Sequence, residues 1–311
     1  MSSNIAFIYP GQGSQSIGML KELASEFGLI ENTFTLASET LGYDLWDLVQ
    51  NGSAEQLNQT DVTQPALLTA GVAIWRVWGE QDGAEPIAMA GHSLGEYTAL
   101  VCAGAISLAD GVRLVKKRGE LMQQAVPAGQ GAMAAVLGLD NEIIEEICQQ
   151  AAEGQVVAPV NYNSPGQVVI AGDKAAVDRA GELLKAQGAK KVVPLAVSVP
   201  SHCALMKPAA DQLQLELDAT DIRSPIIPVV NNVDATVETD VNAIRAALVR
   251  QMYSPVQWVK VVQQLLVMGA EAGCECGPGK VLTGLNKRID RKFVGNTLQD
   301  PAGFHAALTK V

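Results

Sequence analysis

Ile87-Ala88-Met89-Ala90-Gly91-His92-Ser93-Leu94-Gly95-Glu96-Tyr97 decides how this chain is read. An apolar run enters, a helical pattern from Leu94 to Ala103 leaves, and Gly-x-Ser-x-Gly sits between them. The pentapeptide also occurs in ordinary turns, but a strand on one side and a helix on the other make it a nucleophile elbow. In that turn a serine hydroxyl is pushed into the open, and the flanking glycines let backbone crowd it without a Cβ clash. The helix that follows aims its unpaired N–H groups at the point where negative charge develops in acyl chemistry. Ser93 is therefore the candidate nucleophile.

Outward from the elbow, strands alternate with helices, which predicts a mainly parallel sheet covered on both faces. The chain opens with a strand, Ile5 to Tyr9, and a glycine loop, Pro10-Gly11-Gln12-Gly13-Ser14-Gln15. A helix is expected from Gln64 to Glu80, where Leu67, Leu68, Gly71, Ile74, Trp75 and Trp78 recur at helical spacing. Another runs from Leu108 to Gln124, and Pro127 to Gly131 reads as a linker. Next come a strand (Ala132 to Leu139), a helix N-capped by Asp140 and running through Ala152, and a strand (Val156 to Tyr162). A turn at Asn163-Ser164-Pro165-Gly166, a strand to Ala171, a helix (Lys174 to Gln187) and a strand (Lys191 to Val197) complete the unit. The order β-α-β-β-α-β is ferredoxin-like, so residues 127–198 are expected to form a small inserted subdomain. Residues 1–126 and 199–311 would form the core, with a strand at Ile226 to Val230, a helix near Val256 to Met268 and a strand at Ala272 to Cys276.

A chain of 311 residues, 48% apolar, has ample material for such a core. Its net charge of −11 disfavours broad nucleic-acid or anionic-membrane binding. No apolar stretch is long enough to span a bilayer, and Met1-Ser2-Ser3-Asn4 lacks the basic start of a signal peptide. Five scattered cysteines without a Cys-x-x-Cys pair argue against disulfides or zinc. A cytoplasmic protein with reduced thiols, and no metal or other cofactor, is expected.

A serine nucleophile needs a base. The chain has three histidines. His92 adjoins Ser93, so its side chain should leave the turn in another direction, and His305 lies in the last helix. His202 sits in the loop Ser198-Val199-Pro200-Ser201-His202-Cys203 and would face a cleft between the two units, so elimination favours it. No Asp or Glu stands in a motif that would mark a triad acid. For the oxyanion hole, the N–H of Leu94 is one natural donor, and the Gly11-Gln12-Gly13 loop could supply the other. That loop fails as a dinucleotide fingerprint because Ser16 stands where the third glycine belongs, and Gly277-Pro278-Gly279-Lys280 lacks P-loop spacing.

Five motifs in order then carry a resemblance: Gly11-Gln12-Gly13-Ser14-Gln15, Gly91-His92-Ser93-Leu94-Gly95-Glu96-Tyr97, Asn163-Ser164-Pro165-Gly166-Gln167, Val199-Pro200-Ser201-His202 and Gly277-Pro278-Gly279-Lys280. From Ile5 to about Arg288 the chain resembles the malonyl-CoA:acyl carrier protein transacylases. The resemblance implies an α/β-hydrolase-like parallel-sheet core with the ferredoxin-like subdomain inserted. It implies Ser93 as nucleophile, His202 as base, and the N–H groups of Gln12 and Leu94 as oxyanion hole. A backbone carbonyl matching Gln251 would replace the triad acid. Arg118, in Lys117-Arg118-Gly119-Glu120-Leu121-Met122, would hold the substrate's free carboxylate bidentately. Met122, Asn163, Ser201 and His92 would line the substrate site. Cys276 departs from the aliphatic residue usual in the family and is expected to change packing only.

The partners implied are malonyl-CoA and an acyl carrier protein, which is acidic as a family. A chain this acidic would have to dock it on a local basic patch, with Lys190, Lys191, Lys287 and Arg288 as candidates. The expectation is a monomer that moves malonyl groups by ping-pong transfer. A serine esterase or thioesterase is the alternative; it would share the elbow and base but have no use for Arg118.

Overall fold

The computed structural model describes residues 4–196, 199–293 and 295–309. β1 (Ile5–Tyr9) is buried along its whole length. Its side chains alternate between two cores: Ile5, Phe7 and Tyr9 join the larger one, while Ala6 and Ile8 pack on the other side with Trp258, Val261 and Leu265. A strand buried on both faces belongs in the middle of a parallel sheet. β1 indeed pairs in parallel with β2 (Ala88–Gly91) on one side and with the later strand Ala272–Glu275 on the other.

The small sheet comes between them in the sequence. β3 (Gly131–Leu137), β4 (Val157–Ser164), β5 (Gln167–Asp173) and β6 (Lys191–Pro194) form an antiparallel sheet in the order β4-β5-β3-β6. Helices Asn141–Ala152 and Lys174–Ala186 cover one face, giving the ferredoxin-like order. The core sheet is completed by β7 (Val229–Val230) and β8 (Ala272–Glu275), in the all-parallel order β7-β2-β1-β8.

Several boundaries differ from expectation for identifiable reasons. The helix expected from Gln64 is Thr60–Glu80 and runs through Pro65. Its first turn turns Thr60, Thr63 and Gln64 inward, each buried, which interrupts the apolar period. The strand expected from Ile226 is reduced to Val229–Val230, because Pro228 cannot donate to a ladder and Ile226 is 79% exposed. Asn163 and Ser164 belong to β4, leaving Pro165-Gly166 as the turn. Asp140 holds the N-cap position but makes no side-chain cap bond. β6 ends at Pro194; Val197, expected at its end, lies outside the described residues, as does Ser198.

Register places the reacting groups. Tyr9 pairs with Gly91 across β1 and β2. Gln12 and Leu94 each lie three residues beyond that pair, so the two loops emerge side by side at the carboxyl ends of the strands, where open α/β sheets bind ligands. A Cβ on Gly11 would come within 2.6 Å of the His92 carbonyl oxygen, so the loops are in backbone contact. A Cβ on Gly95 would overlap the carbonyl of Tyr9, and one on Gly91 would overlap Gly95 itself. The small sheet is tied to the core beside this point. Tyr162 donates its N–H to the Val256 carbonyl at 2.9 Å, and Val256 donates to Val160 at 2.9 Å.

Gly95→Ala is expected to destabilise the protein by about 1–3 kcal/mol, the usual cost of overpacking. Exposed Gly79, also helical and with nothing within 4 Å of its would-be Cβ, should instead gain about 0.5–1 kcal/mol on mutation to Ala. Urea unfolding of both variants checks this; equal midpoints would refute the close approach at Gly95.

Candidate active site

Ser93 leaves β2 with φ 52° and ψ −109° and serves as the N-cap of helix Leu94–Cys102. Gly95 and Glu96 donate back to the carbonyls of His92 and Ser93 to start the helix. The N–H groups of Gln12 and Leu94 donate to no protein atom among the described residues. Leu94 is the first helical residue, one of the positions whose N–H has no intrahelical acceptor.

His202 also has positive φ, 63°. It is held by the end of helix Val241–Gln251, whose last carbonyls lack intrahelical donors. The His202 backbone N–H donates to the Met252 carbonyl at 3.1 Å, and the ring Nδ1 lies 2.6 Å from the Gln251 carbonyl oxygen. A carbonyl only accepts, so Nδ1 carries the proton and Nε2 presents its lone pair. Nε2 is 2.7 Å from Ser93 Oγ. The backbone carbonyl thus stands where a triad acid would, and the negative end of the helix dipole favours an imidazolium there. Burial and the nearby Arg118 charge push His202 down to about 3, against its bond to Gln251.

Arg118 is 1% exposed and forms no ion pair among the described residues. Gly119 permits its placement: a Cβ there would meet the Asp61 backbone at 2.6 Å, so helix Leu108–Ala125 lies close on the start of helix Thr60–Glu80. Arg118 Nη1 donates to Gln64 Oε1 at 2.8 Å. Its Nη2 donates to Gln251 Oε1 at 3.0 Å and to Ser93 Oγ at 3.2 Å, and the guanidinium lies 5.3 Å from the Tyr97 ring centroid. Its Nε is buried with no hydrogen-bond partner among the described residues. Burial lowers the guanidinium below its ordinary value, yet such a group keeps its charge in proteins. A buried cation surrounded by neutral amides can pair with a carboxylate.

The remaining residues fall into two groups. Gln12 and Met122 join Arg118 through side chains that the sequence had not marked. Thr60 Oγ1 donates to Gln12 Oε1 at 2.7 Å, and Gln64 Nε2 donates to Thr60 Oγ1 at 3.0 Å and reaches Met122 Sδ at 3.6 Å. His92 turns away from Ser93, its Nε2 2.8 Å from Asn163 Oδ1, and so links the elbow to β4. Ser201 is partly exposed beside His202. Glu96 and Asn232 are buried next to Ser93 and were also missed. Burial pushes Glu96 up to about 7, opposed by the bonds it accepts from Gln251 and Asn232 and by the Arg118 charge.

This arrangement puts a hydroxyl beside an imidazole lone pair, next to two N–H groups without a protein acceptor among the described residues and a buried cation. The chain as a whole is similar to known proteins. A model of the acyl transferase domain family matches residues 6–291. Malonyl CoA-acyl carrier protein transacylases of Salmonella typhimurium and Escherichia coli are each 60% identical, over 99% and 98% of this chain and 100% and 99% of the relatives. Among solved structures, an acyl carrier protein S-malonyltransferase from Vibrio cholerae is 57% identical, with a TM-score of 0.96 over 98% of this chain and 99% of that one. A malonyl-transacylase solved in complex with its type II PKS acyl-carrier protein is also 57% identical, with a TM-score of 0.98 over 99% of this chain and 100% of that one. The chain belongs to the acyl transferase domain family, among the malonyl CoA-acyl carrier protein transacylases.

Proposed function

We propose that this protein moves the malonyl group from malonyl-CoA to the phosphopantetheine thiol of an acyl carrier protein, through a malonyl-Ser93 intermediate, in fatty acid synthesis. The observation that carries the reading is the buried, charge-unpaired Arg118 guanidinium whose Nη2 lies 3.2 Å from Ser93 Oγ. In the first half-reaction Ser93 Oγ gives its proton to His202 Nε2 and attacks the thioester carbonyl. The N–H groups of Gln12 and Leu94 receive the oxyanion. The tetrahedral intermediate collapses, His202 returns the proton to the departing coenzyme A thiolate, and the ester remains on Ser93. The carrier thiol then gives its proton to His202 and attacks the ester, and the same steps run in reverse. Arg118 pairs with the free malonyl carboxylate throughout. Met122, Asn163, Ser201 and His92 complete the walls of the substrate site. A plain esterase or thioesterase finds no support in the relatives, and such an enzyme would have no use for an unpaired Arg118.

Residues 127–198 act as the inserted subdomain, with 1–126 and 199–311 as the catalytic core. Acyl carrier protein docks on a basic patch made by two segments. Leu137 pairs with Gln167 on one side and Lys191 on the other, and Arg288 Nη1 donates to Gln167 Oε1 at 2.5 Å. This brings Lys190 and Lys191 to the same end of the small sheet as Arg288, about 10 Å across two strand spacings. Lys190, Lys191, Lys287 and Arg288 are all exposed, and Lys287, Arg288 and Arg291 line a hollow of ≈ 550 Å³. We take the protein to act as a monomer in the cytoplasm; no helix among the described residues is long and apolar enough to cross a membrane.

The direct test is intact-protein mass after malonyl-CoA and then after phosphopantetheinylated carrier protein. A malonyl adduct that is absent in Ser93→Ala and discharged onto the carrier is expected; an adduct lost only to water would replace this function with a hydrolase. Arg118→Ala should lower the preference for malonyl over acetyl loading about 10- to 100-fold, as expected for lost charged hydrogen bonds of about 1.5–3 kcal/mol. An unchanged preference would remove the carboxylate role. Reversing Lys287 and Arg288 to Glu should raise the carrier protein KM about tenfold, more at low salt, and leave malonyl loading intact. A base accepts protons only above its pKa, and that of His202 lies near 3. Single-turnover loading should therefore show no inflection at about pH 6.5, the ordinary histidine value. A half-loss of rate there would contradict a neutral, buried base.

A further inference from the structure

Glu96 lies within the first turn of the elbow helix and is 3% exposed. One of its oxygens, Oε2, accepts two hydrogen bonds, from the Asn232 backbone N–H at 2.9 Å and from Gln251 Nε2 at 2.8 Å. These two residues arrive from different parts of the chain, Asn232 just after β7 and Gln251 at the end of helix Val241–Gln251. Both also grip the strained turn. Asn232 Oδ1 accepts the Ser93 N–H at 2.6 Å, and its Nδ2 donates to the Gly91 carbonyl at 2.6 Å. Gln251 Nε2 donates to the Ser93 carbonyl at 3.1 Å, while its Oε1 receives Arg118 Nη2 at 3.0 Å.

Orientation follows from donor chemistry. Oε2 of Glu96 accepts two N–H donors and so serves purely as an acceptor, as a carboxylate oxygen or a carboxyl carbonyl does, while a guanidinium offers only donors. A Gln251 amide placed between them has one favourable orientation, nitrogen to Glu96 and oxygen to Arg118. The same nitrogen then meets the Ser93 carbonyl. Rotation of the amide would set its oxygen against Glu96 and its nitrogen against Arg118, leaving buried donors and acceptors mismatched.

We propose that Glu96 is a positioning residue for acyl transfer: by accepting from Asn232 and Gln251 together, it fixes both sides of the Ser93 peptide and keeps the Gln251 amide oxygen turned to Arg118. This rests on the malonyl-transfer function above. Through Gln251 the nucleophile, the carboxylate-binding cation and the carbonyl that orients His202 are held by one residue, and Glu96 sets how that residue is turned.

Single-turnover malonyl loading of Glu96→Ala, Glu96→Gln and Asn232→Ala tests the role, with circular dichroism and thermal unfolding recorded beside it. Glu96→Ala should slow loading about a hundredfold, the scale of a small misplacement of reacting groups, and raise the half-saturating malonyl-CoA concentration because the Gln251 amide is free to turn from Arg118. Glu96→Gln keeps an oxygen able to accept both bonds and should regain at least about tenfold of the lost rate. Asn232→Ala removes only the grip on the turn. It should slow loading and leave half-saturation within about twofold, since Arg118 keeps its partners. A purely structural part would lower the unfolding temperature of all three and leave the loading rate of folded protein unchanged, which would overturn the proposal. So would a Glu96→Gln rate no better than that of Glu96→Ala. If Glu96→Ala does not fold, an unimpaired Asn232→Ala decides against it. Wild-type protein that takes up no malonyl at all would instead count against the function itself.

Discussion

At φ 52° and ψ −109° the Ser93 backbone is strained, at a cost of about 1–3 kcal/mol that persists only where the surroundings over-determine it. Much of the core can be understood as that over-determination. β1 and β2 pair so that Tyr9 lies opposite Gly91, and the absence of a Cβ at Gly95 lets the new helix start against the Tyr9 carbonyl. Side-chain amides from two distant segments then hold the N–H and C=O of the serine itself. Each contact is ordinary, and their convergence on one residue is what keeps the hydroxyl presented toward His202.

Charge is arranged with the same economy. Arg118 is surrounded by Gln64, Gln251 and the Ser93 hydroxyl, all neutral. The carboxylate that could neutralise it, Glu96, is kept one residue away by the Gln251 amide. A direct Arg–Glu pair would have satisfied the guanidinium and left nothing for a substrate to do. The neutral spacer keeps the cation available while supplying hydrogen bonds enough to hold it in place.

The sequence was most legible where residue types are scarce. Three histidines and one Gly-x-Ser-x-Gly left few ways to assemble a nucleophile and base, and the strand and helix periods around the elbow gave the parallel core. Glu96 and Asn232 were not legible because they act through partners more than a hundred positions away in the chain. Thr60 and Gln64 left a faint signal: polar residues at inward positions just ahead of an apolar helical period. They read as a late helix start because periodicity scores them as surface. Pro228 shortened a strand that its apolar neighbours advertise, since pattern alone does not count missing donors. Gln251 entered only by resemblance, and its side chain does as much as its carbonyl.

A buried cation without a counter-ion also makes the empty protein electrostatically unfinished. With Arg118 in its proposed role, a small carboxylate paired with it would bind the folded chain and not the unfolded one, and would raise the melting temperature with the logarithm of its concentration once the site is saturated. The heat resistance of this protein would then be a variable of the surrounding metabolite pool. Two preparations of identical sequence would differ in apparent stability if one carried a residual diacid and the other had been dialysed free of it.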